Sequence, residues 1–225
     1  SKVAIHKAQW DAAAATPIFV GETFRYSGAD AARVESGNCA VAWGIGGWCR
    51  GYNIPTNSGG QEVIFRDMNG NEILRPALLF MGTEHPKSGE SVMAAENLKA
   101  EFEKLRVLPE NASVDGTGTT SGVADILRKI WSQKVRVVVS STSADESKIL
   151  QEDSSGEDRS VIANKSTELW VATSKMIEAK CFFRSPTFSD QELDAQITQR
   201  LIFETNNKTK IEEKKVYMKR LKVRS

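Results

Sequence analysis

The spacing of apolar residues changes along the chain, and each change predicts a different kind of element. From Pro17 to Gly82, short apolar and aromatic segments are interrupted by glycine, asparagine and proline, the rhythm of strands joined by turns. The clearest unit runs from Val63 to Leu74. Val63-Ile64-Phe65-Arg66-Asp67 and Glu72-Ile73-Leu74 flank Met68-Asn69-Gly70-Asn71, and Asn69-Gly70 accepts the positive φ that a tight hairpin requires. Pro76 has no amide to give to a ladder, which limits how far the second strand can run inside a sheet.

After Ser88 the period lengthens. Ala94, Leu98, Phe102 and Leu105 recur at helical spacing among Lys99, Glu101, Glu103 and Lys104, predicting an amphipathic helix that stops before Pro109. Glu110 to Gly122 offers little to bury and reads as an exposed loop. Val123, Ile126, Leu127, Ile130 and Trp131 then form the stripe of a second helix, and the β-branched run Val135 to Val139 predicts a short strand. Ala144 to Asp158 is acidic and serine-rich, a composition for solvent, with Ser154 and Ser155 open to phosphorylation.

Ser160 to Phe183 carries both periods and leans to helix over Thr167 to Lys180. Ser189 and Glu192 can cap each other's amides while Phe188 staples onto Leu193, predicting a helix start there. Leu193, Ile197 and Leu201 would be its buried face and Asn206-Asn207 its end. Lys214 to Arg224 alternates Tyr217, Leu221 and Val223 with Arg220, Lys222 and Arg224, predicting a final strand with a basic outer face. The fold expected is α+β: a β-rich N-terminal part, several amphipathic helices and a C-terminal strand. It forms a single domain over 1–225, with a soft boundary at the polar loop 110–122.

Composition supports a packed interior, with 40% hydrophobic and 26% charged residues among 225. A net charge of +1 supplies no global field toward nucleic acid or an anionic surface, so any such pull must be local. Cys39, Cys49 and Cys181 are few and far apart, which argues against a disulfide framework and for free thiols in a reducing compartment. No apolar run approaches the roughly 18 residues of a membrane span, and Ser1 to Trp10 has no signal-peptide core. A soluble, intracellular protein is expected, cytoplasmic or within an assembled particle, with no membrane partner.

Candidate chemistry is sparse. His6 and His85 are the only histidines, so any histidine-based triad or catalytic zinc site must use one of them. His85 follows an apolar run, where a strand-end catalytic group could lie, but Glu84-His85-Pro86-Lys87 is also an ordinary polar turn. No close cysteine pair seeds a metal site, and the acidic stretch does not follow the calcium-loop template. Gly44-Ile45-Gly46-Gly47 and Gly116 to Gly122 lack the lysine and the glycine spacing of phosphate-binding loops. Free amides at the start of the helix after Ser121 could at most hold an anion. Catalytic residues, metal ligands and cofactor are therefore all read as none.

The expected function is a non-enzymatic structural or assembly subunit that works through protein partners or self-association. The alternative is a single-stranded nucleic-acid-binding module. It would use Trp43 and Trp48 for base stacking and a basic tail of Lys214, Lys215, Lys219, Arg220, Lys222 and Arg224 around Tyr217 for phosphate contacts. An enzyme built on carboxylates or on Cys49 stays open, because such groups are recognised only when they converge in space.

Overall fold

A computed structural model describes residues 2–31, 39–117, 121–139, 142, 161–162, 164–205 and 208–222. In chain order the first elements are β1 (Lys2–Val3), α1 (Lys7–Ala12), β2 (Thr16–Asp30), β3 (Ala40–Thr56), β4 (Gly59–Ile64), β5 (Arg75–Glu84) and α2 (Ser91–Lys104). A short 3₁₀ turn at Pro109–Asn111 leads to β6 (Ala112–Asp115), α3 (Ser121–Ile130), β7 (Arg136–Val138), β8 (Val161–Ile162) and α4 (Lys165–Glu178). The rest are β9 (Phe182–Arg184), α5 (Gln191–Gln199), β10 (Leu201–Thr205), β11 (Lys208–Ile211) and α6 (Lys214–Lys222). The class is α+β, and the chain divides into two compact units. Among the described residues no helix is long and apolar enough to cross a membrane.

The larger unit, Ala13–Ser140 with Lys180–Phe188, is built on a sheet of order β7-β6-β2-β3-β5-β9, with β4 added on β3. β2, β3 and β5 form an antiparallel meander, while β6 joins β2, β7 joins β6 and β9 joins β5 in parallel. Parallel neighbours need a crossover of a dozen or more residues, and α2 and α3 supply it for β6 and β7. Most of each expected stripe faces the sheet: Ala94, Leu98 and Phe102 of α2 and Val123 and Leu127 of α3, joined by Ala95 and Ala124, close over Ala29, Val41, Ala112 and Val114, whereas Ile130 is exposed. Phe102 stacks on Trp131 with centroids 5.4 Å apart. A second cluster, Ala15, Cys49, Phe65, Ala77, Leu79 and Phe183, lies farther along the sheet with Tyr52 and Ile73 packed on it.

Two meander strands are much longer than the short segments expected between Pro17 and Gly82. The turn expected at Asn69-Gly70 is present: Gly70 has φ +83, and Asp67 Oδ1 accepts the amides of Asn69 and Asn71 at 2.8 and 2.9 Å. Its flanks are joined only by the bridge Arg66–Glu72. Pro76 sits at the start of β5, and β9 pairs with β5 only from Leu78 onward.

The loop expected over 110–122 is corrected. Ala112–Asp115 is a strand between β2 and β7, with Ala112 and Val114 buried, and α3 already begins at Ser121. Two alternating apolar residues are enough to fix a four-residue strand when a pre-formed neighbour supplies the ladder, and a longer window averages that signal away.

The smaller unit holds a sheet of order β1-β10-β11-β8. Ala4, Ile202 and Ile211 pack with Trp170 and Val171 of α4. The helix expected over Thr167 to Lys180 is α4, started by Asn164 Oδ1 accepting the Thr167 amide at 3.0 Å. The helix expected at Ser189 begins one residue later, capped by Asp190, whose Oδ1 accepts the Leu193 amide at 2.9 Å. It ends at Gln199, and Leu201, expected on its buried face, opens β10. Asn206-Asn207 and the acidic stretch 144–158 lie outside the described residues.

The final strand is corrected to a helix, α6. Tyr217 is fully buried there, with the Arg200 and Arg220 guanidinium carbons 5.6 and 5.5 Å from its ring centroid. Helix and strand both place residues 217 and 221 on one side, so a short alternation cannot separate them.

Candidate functional site

Two aspartates close adjacent central strands at the same end. β2 and β6 run parallel in the register Ser27–Ala112, Gly28–Ser113 and Ala29–Val114, so the next residues, Asp30 and Asp115, stand side by side. Neighbouring strands lie about 4.8 Å apart, and successive side chains alternate between faces. Ala29 and Val114 belong to the core under α2 and α3, which sends Asp30 and Asp115 to the opposite face. Asp30 is exposed and Asp115 half-buried. Nothing in either strand forces an aspartate here, and two like charges at this spacing repel by about 1 kcal/mol in water.

The chain past β6 orients one of the pair. The Thr117 amide donates to Asp115 Oδ1 at 2.9 Å, and the Thr117 hydroxyl donates to the same oxygen. Gly116 permits the tight exit, because a Cβ there would come within 2.3 Å of Val137 Cγ1. The floor around the pair is small: Ala40 is paired with Asp30, Ala42 with Gly28, and Gly28 with Ser113. Exposed His85 directly follows β5, and β5 runs parallel to β2 two strands away. It therefore lies at the same end of the sheet as the carboxylates.

Farther from the pair, on the same face, two aromatic rings lie across glycines of β3. An added Cβ at Gly44 would be 2.5 Å from the Tyr26 hydroxyl, and one at Gly46 would be 2.3 Å from Phe24 Cζ. Burial pushes the Tyr26 phenol well above its ordinary pKa, and its hydroxyl has no hydrogen-bond partner. That tyrosine therefore stays protonated and acts as packing.

Paired carboxylates are hard oxygen ligands of the kind magnesium, manganese and calcium take. Among the described residues no group of three or more His, Cys, Asp or Glu side chains gathers to hold a metal. A pair still suits a cation such as magnesium, which commonly uses one or two carboxylates and fills its remaining positions with water and substrate phosphate oxygens. The thiols are elsewhere: Cys39 and Cys49 are buried in the two separate cores.

The residues expected to touch nucleic acid divide between the two units, Trp43 and Trp48 in the larger and the basic segment in the smaller. Trp43 packs against the core beneath Arg25, whose guanidinium carbon is 5.7 Å from the ring centroid. Trp48 is 55% exposed and shares the face of Asp30. In the other unit, Tyr217 is buried and its ring is not offered for stacking. Arg220 is committed to Glu212 through Nε–Oε1 at 2.9 Å and Nη2–Oε2 at 2.8 Å. Lys219 is exposed on α6, Lys214, Lys215 and Lys222 lie on the same helix, and Arg224 falls outside the described residues.

Sequence reasoning missed Asp30 and Asp115. Each closes a segment of small and apolar residues, Ser27-Gly28-Ala29-Asp30 and Ala112-Ser113-Val114-Asp115, and that shared ending was the available signal.

No family model matches the chain, and no curated protein matches it. Solved structures do share its fold. The nuclease domain of the large terminase subunit of bacterial virus Sf6 superposes with a TM-score of 0.60 at 13% identity, covering 98% of this chain and 92% of that one. The chain shares the fold of that nuclease domain. A variant of the Sf6 large terminase subunit with calcium gives a TM-score of 0.59, and a variant nuclease domain with manganese and beta-thujaplicinol gives 0.52, at the same identity and coverage. This likeness stands against the expectation of a non-enzymatic structural or assembly subunit, since the solved structures that share the fold include nuclease domains. The nucleic-acid alternative agrees with it better.

Proposed function

We propose that the chain is a nuclease domain that hydrolyses phosphodiester bonds of nucleic acid with divalent cations held by Asp30 and Asp115. The observation that carries this reading is the register of β2 and β6, which sets the two carboxylates side by side at the strand ends. It is supported by the likeness to a large terminase subunit variant described with calcium and a nuclease-domain variant described with manganese.

When bound, such a cation polarises the phosphodiester and lowers the pKa of attacking water. The chain contributes position. Asp30 and Asp115 present oxygens on one face, and the Thr117 donors fix the turn of the Asp115 carboxylate. Gly28, Ala40 and Ala42 keep the approach flat, so that a phosphate can reach the pair without meeting a long side chain. Of the aromatic and basic residues expected to touch nucleic acid, exposed Trp48 is on the right face to stack a base.

The test is cleavage of plasmid DNA and of labelled DNA and RNA strands in magnesium or manganese. Asp30→Asn and Asp115→Asn are each expected to lower the rate by about 100-fold or more. A chelator should abolish cleavage, and circular dichroism should show both variants folded. Full activity in both folded variants would remove the pair from the reaction.

A further inference from the structure

A phosphate approaching Asp30 and Asp115 meets like charge, and a chain of net charge +1 does not draw it in as a whole. A local cation must do so, and β7 carries one. β7 pairs with β6 in the register Ser113–Arg136, Val114–Val137 and Asp115–Val138. Val137 packs on the core under α2 and α3, so Arg136 turns to the carboxylate face, where it is exposed. One strand across and two residues back put its Cα about 8 Å from that of Asp115. Arg136 forms no ion pair with a described residue. Its row crosses the sheet through Ser113, Gly28, Ala42 and Thr83, all small, so no long side chain separates the guanidinium from the flat floor below the carboxylates.

We propose that Arg136 grips a phosphate of the nucleic-acid strand next to the one over Asp30 and Asp115, and so sets which bond is cut. The inference rests on the nuclease reading. Its chemistry is that of a guanidinium fork, which can bind two phosphate oxygens at once where an ammonium acts as a point charge. A charge that merely protects an edge strand from pairing would serve as well from any residue and would not sense phosphate.

Binding of a fluorescent oligonucleotide would be followed by anisotropy between 50 and 200 mM salt, with Asp30→Asn as the non-cutting parent. Adding Arg136→Ala is expected to weaken binding about 10-fold and to lower the slope of log K against log salt by about 0.7 to 0.9, the value of one released phosphate contact. Arg136→Lys should restore the slope but only part of the affinity. Lys129→Ala, exposed on α3 across the sheet, should change neither. With Asp30 intact, Arg136→Ala should scatter the cut positions on an end-labelled strand. A slope equal to the parent's and a cut pattern equal to that of wild type, while Asp30→Asn and Asp115→Asn still lower cleavage by about 100-fold or more, would overturn the role of Arg136 and leave the nuclease reading standing. A wild-type chain that neither binds nor cuts overturns both.

Discussion

At the scale of single residues, the proposed chemistry depends on an arrangement that folding does not favour. Two aspartates in register on adjacent strands repel, so Asp30→Asn should leave stability within about 0.5 kcal/mol of wild type, or raise it, in chelator. Thermal melts with and without metal would show this, and a large loss in chelator would give Asp30 a structural role. Thr117 acts through its neighbour as a positioning residue. Thr117→Ala is expected to weaken metal affinity by about 10-fold, and Thr117→Ser to restore it, because the serine hydroxyl can make the same bond to Asp115. The glycines of β3 make a separate prediction. A Cβ at Gly44 would lie 2.3 Å from the Leu79 carbonyl oxygen, which is backbone, whereas at Gly46 it meets the movable Phe24 ring. Gly44→Ala should therefore cost about 2 to 3 kcal/mol and Gly46→Ala about 1, measured by urea unfolding. The aspartates themselves were present in the sequence, but their pairing depends on the register between residues 85 positions apart, which no local spacing encodes.

At the scale of elements, α2, α3 and β7 were legible because their apolar stripes are long or β-branched. β6 was not, because a four-residue strand between β2 and β7 takes its stability from neighbours already in place. Its amides should exchange among the slowest in the larger unit, and rapid exchange at Ser113 and Val114 would restore the loop reading. The basic C-terminal segment misled in another way. Arg220 is partnered inward: it pairs with Glu212, which is 1% exposed, and also donates to the Gln199 carbonyl at 2.6 Å. The hydrogen bond from Arg220 holds the Glu212 carboxyl below its usual pKa; burial opposes the shift, while the Leu201 amide and the Arg220 and Arg200 charges add to it. A carboxyl with a lowered folded-state pKa stabilises fully above the ordinary carboxylate range, and that contribution is lost as pH falls through the lowered value. Glu212→Gln should thus cost about 3 kcal/mol at pH 7, with the difference from wild type shrinking as the pH drops toward 3. A difference independent of pH would mean that the charge of Glu212 does not matter.

At the scale of the whole molecule, the α+β class follows from composition and periodicity, whereas a carboxylate pair does not, because scarcity of histidine and cysteine says nothing of groups that converge only through strand register. Two carboxylates suffice when a cation and the substrate's own oxygens supply the remaining coordination. The proposed nuclease chemistry requires Asp30 and Asp115 to form one cation site together. Titrating manganese into the chain by calorimetry tests it most directly: wild type should bind with an affinity that Asp30→Asn and Asp115→Asn each weaken by at least about 10-fold. Manganese binding that is unchanged in both folded variants would show that the two carboxylates do not hold the cation.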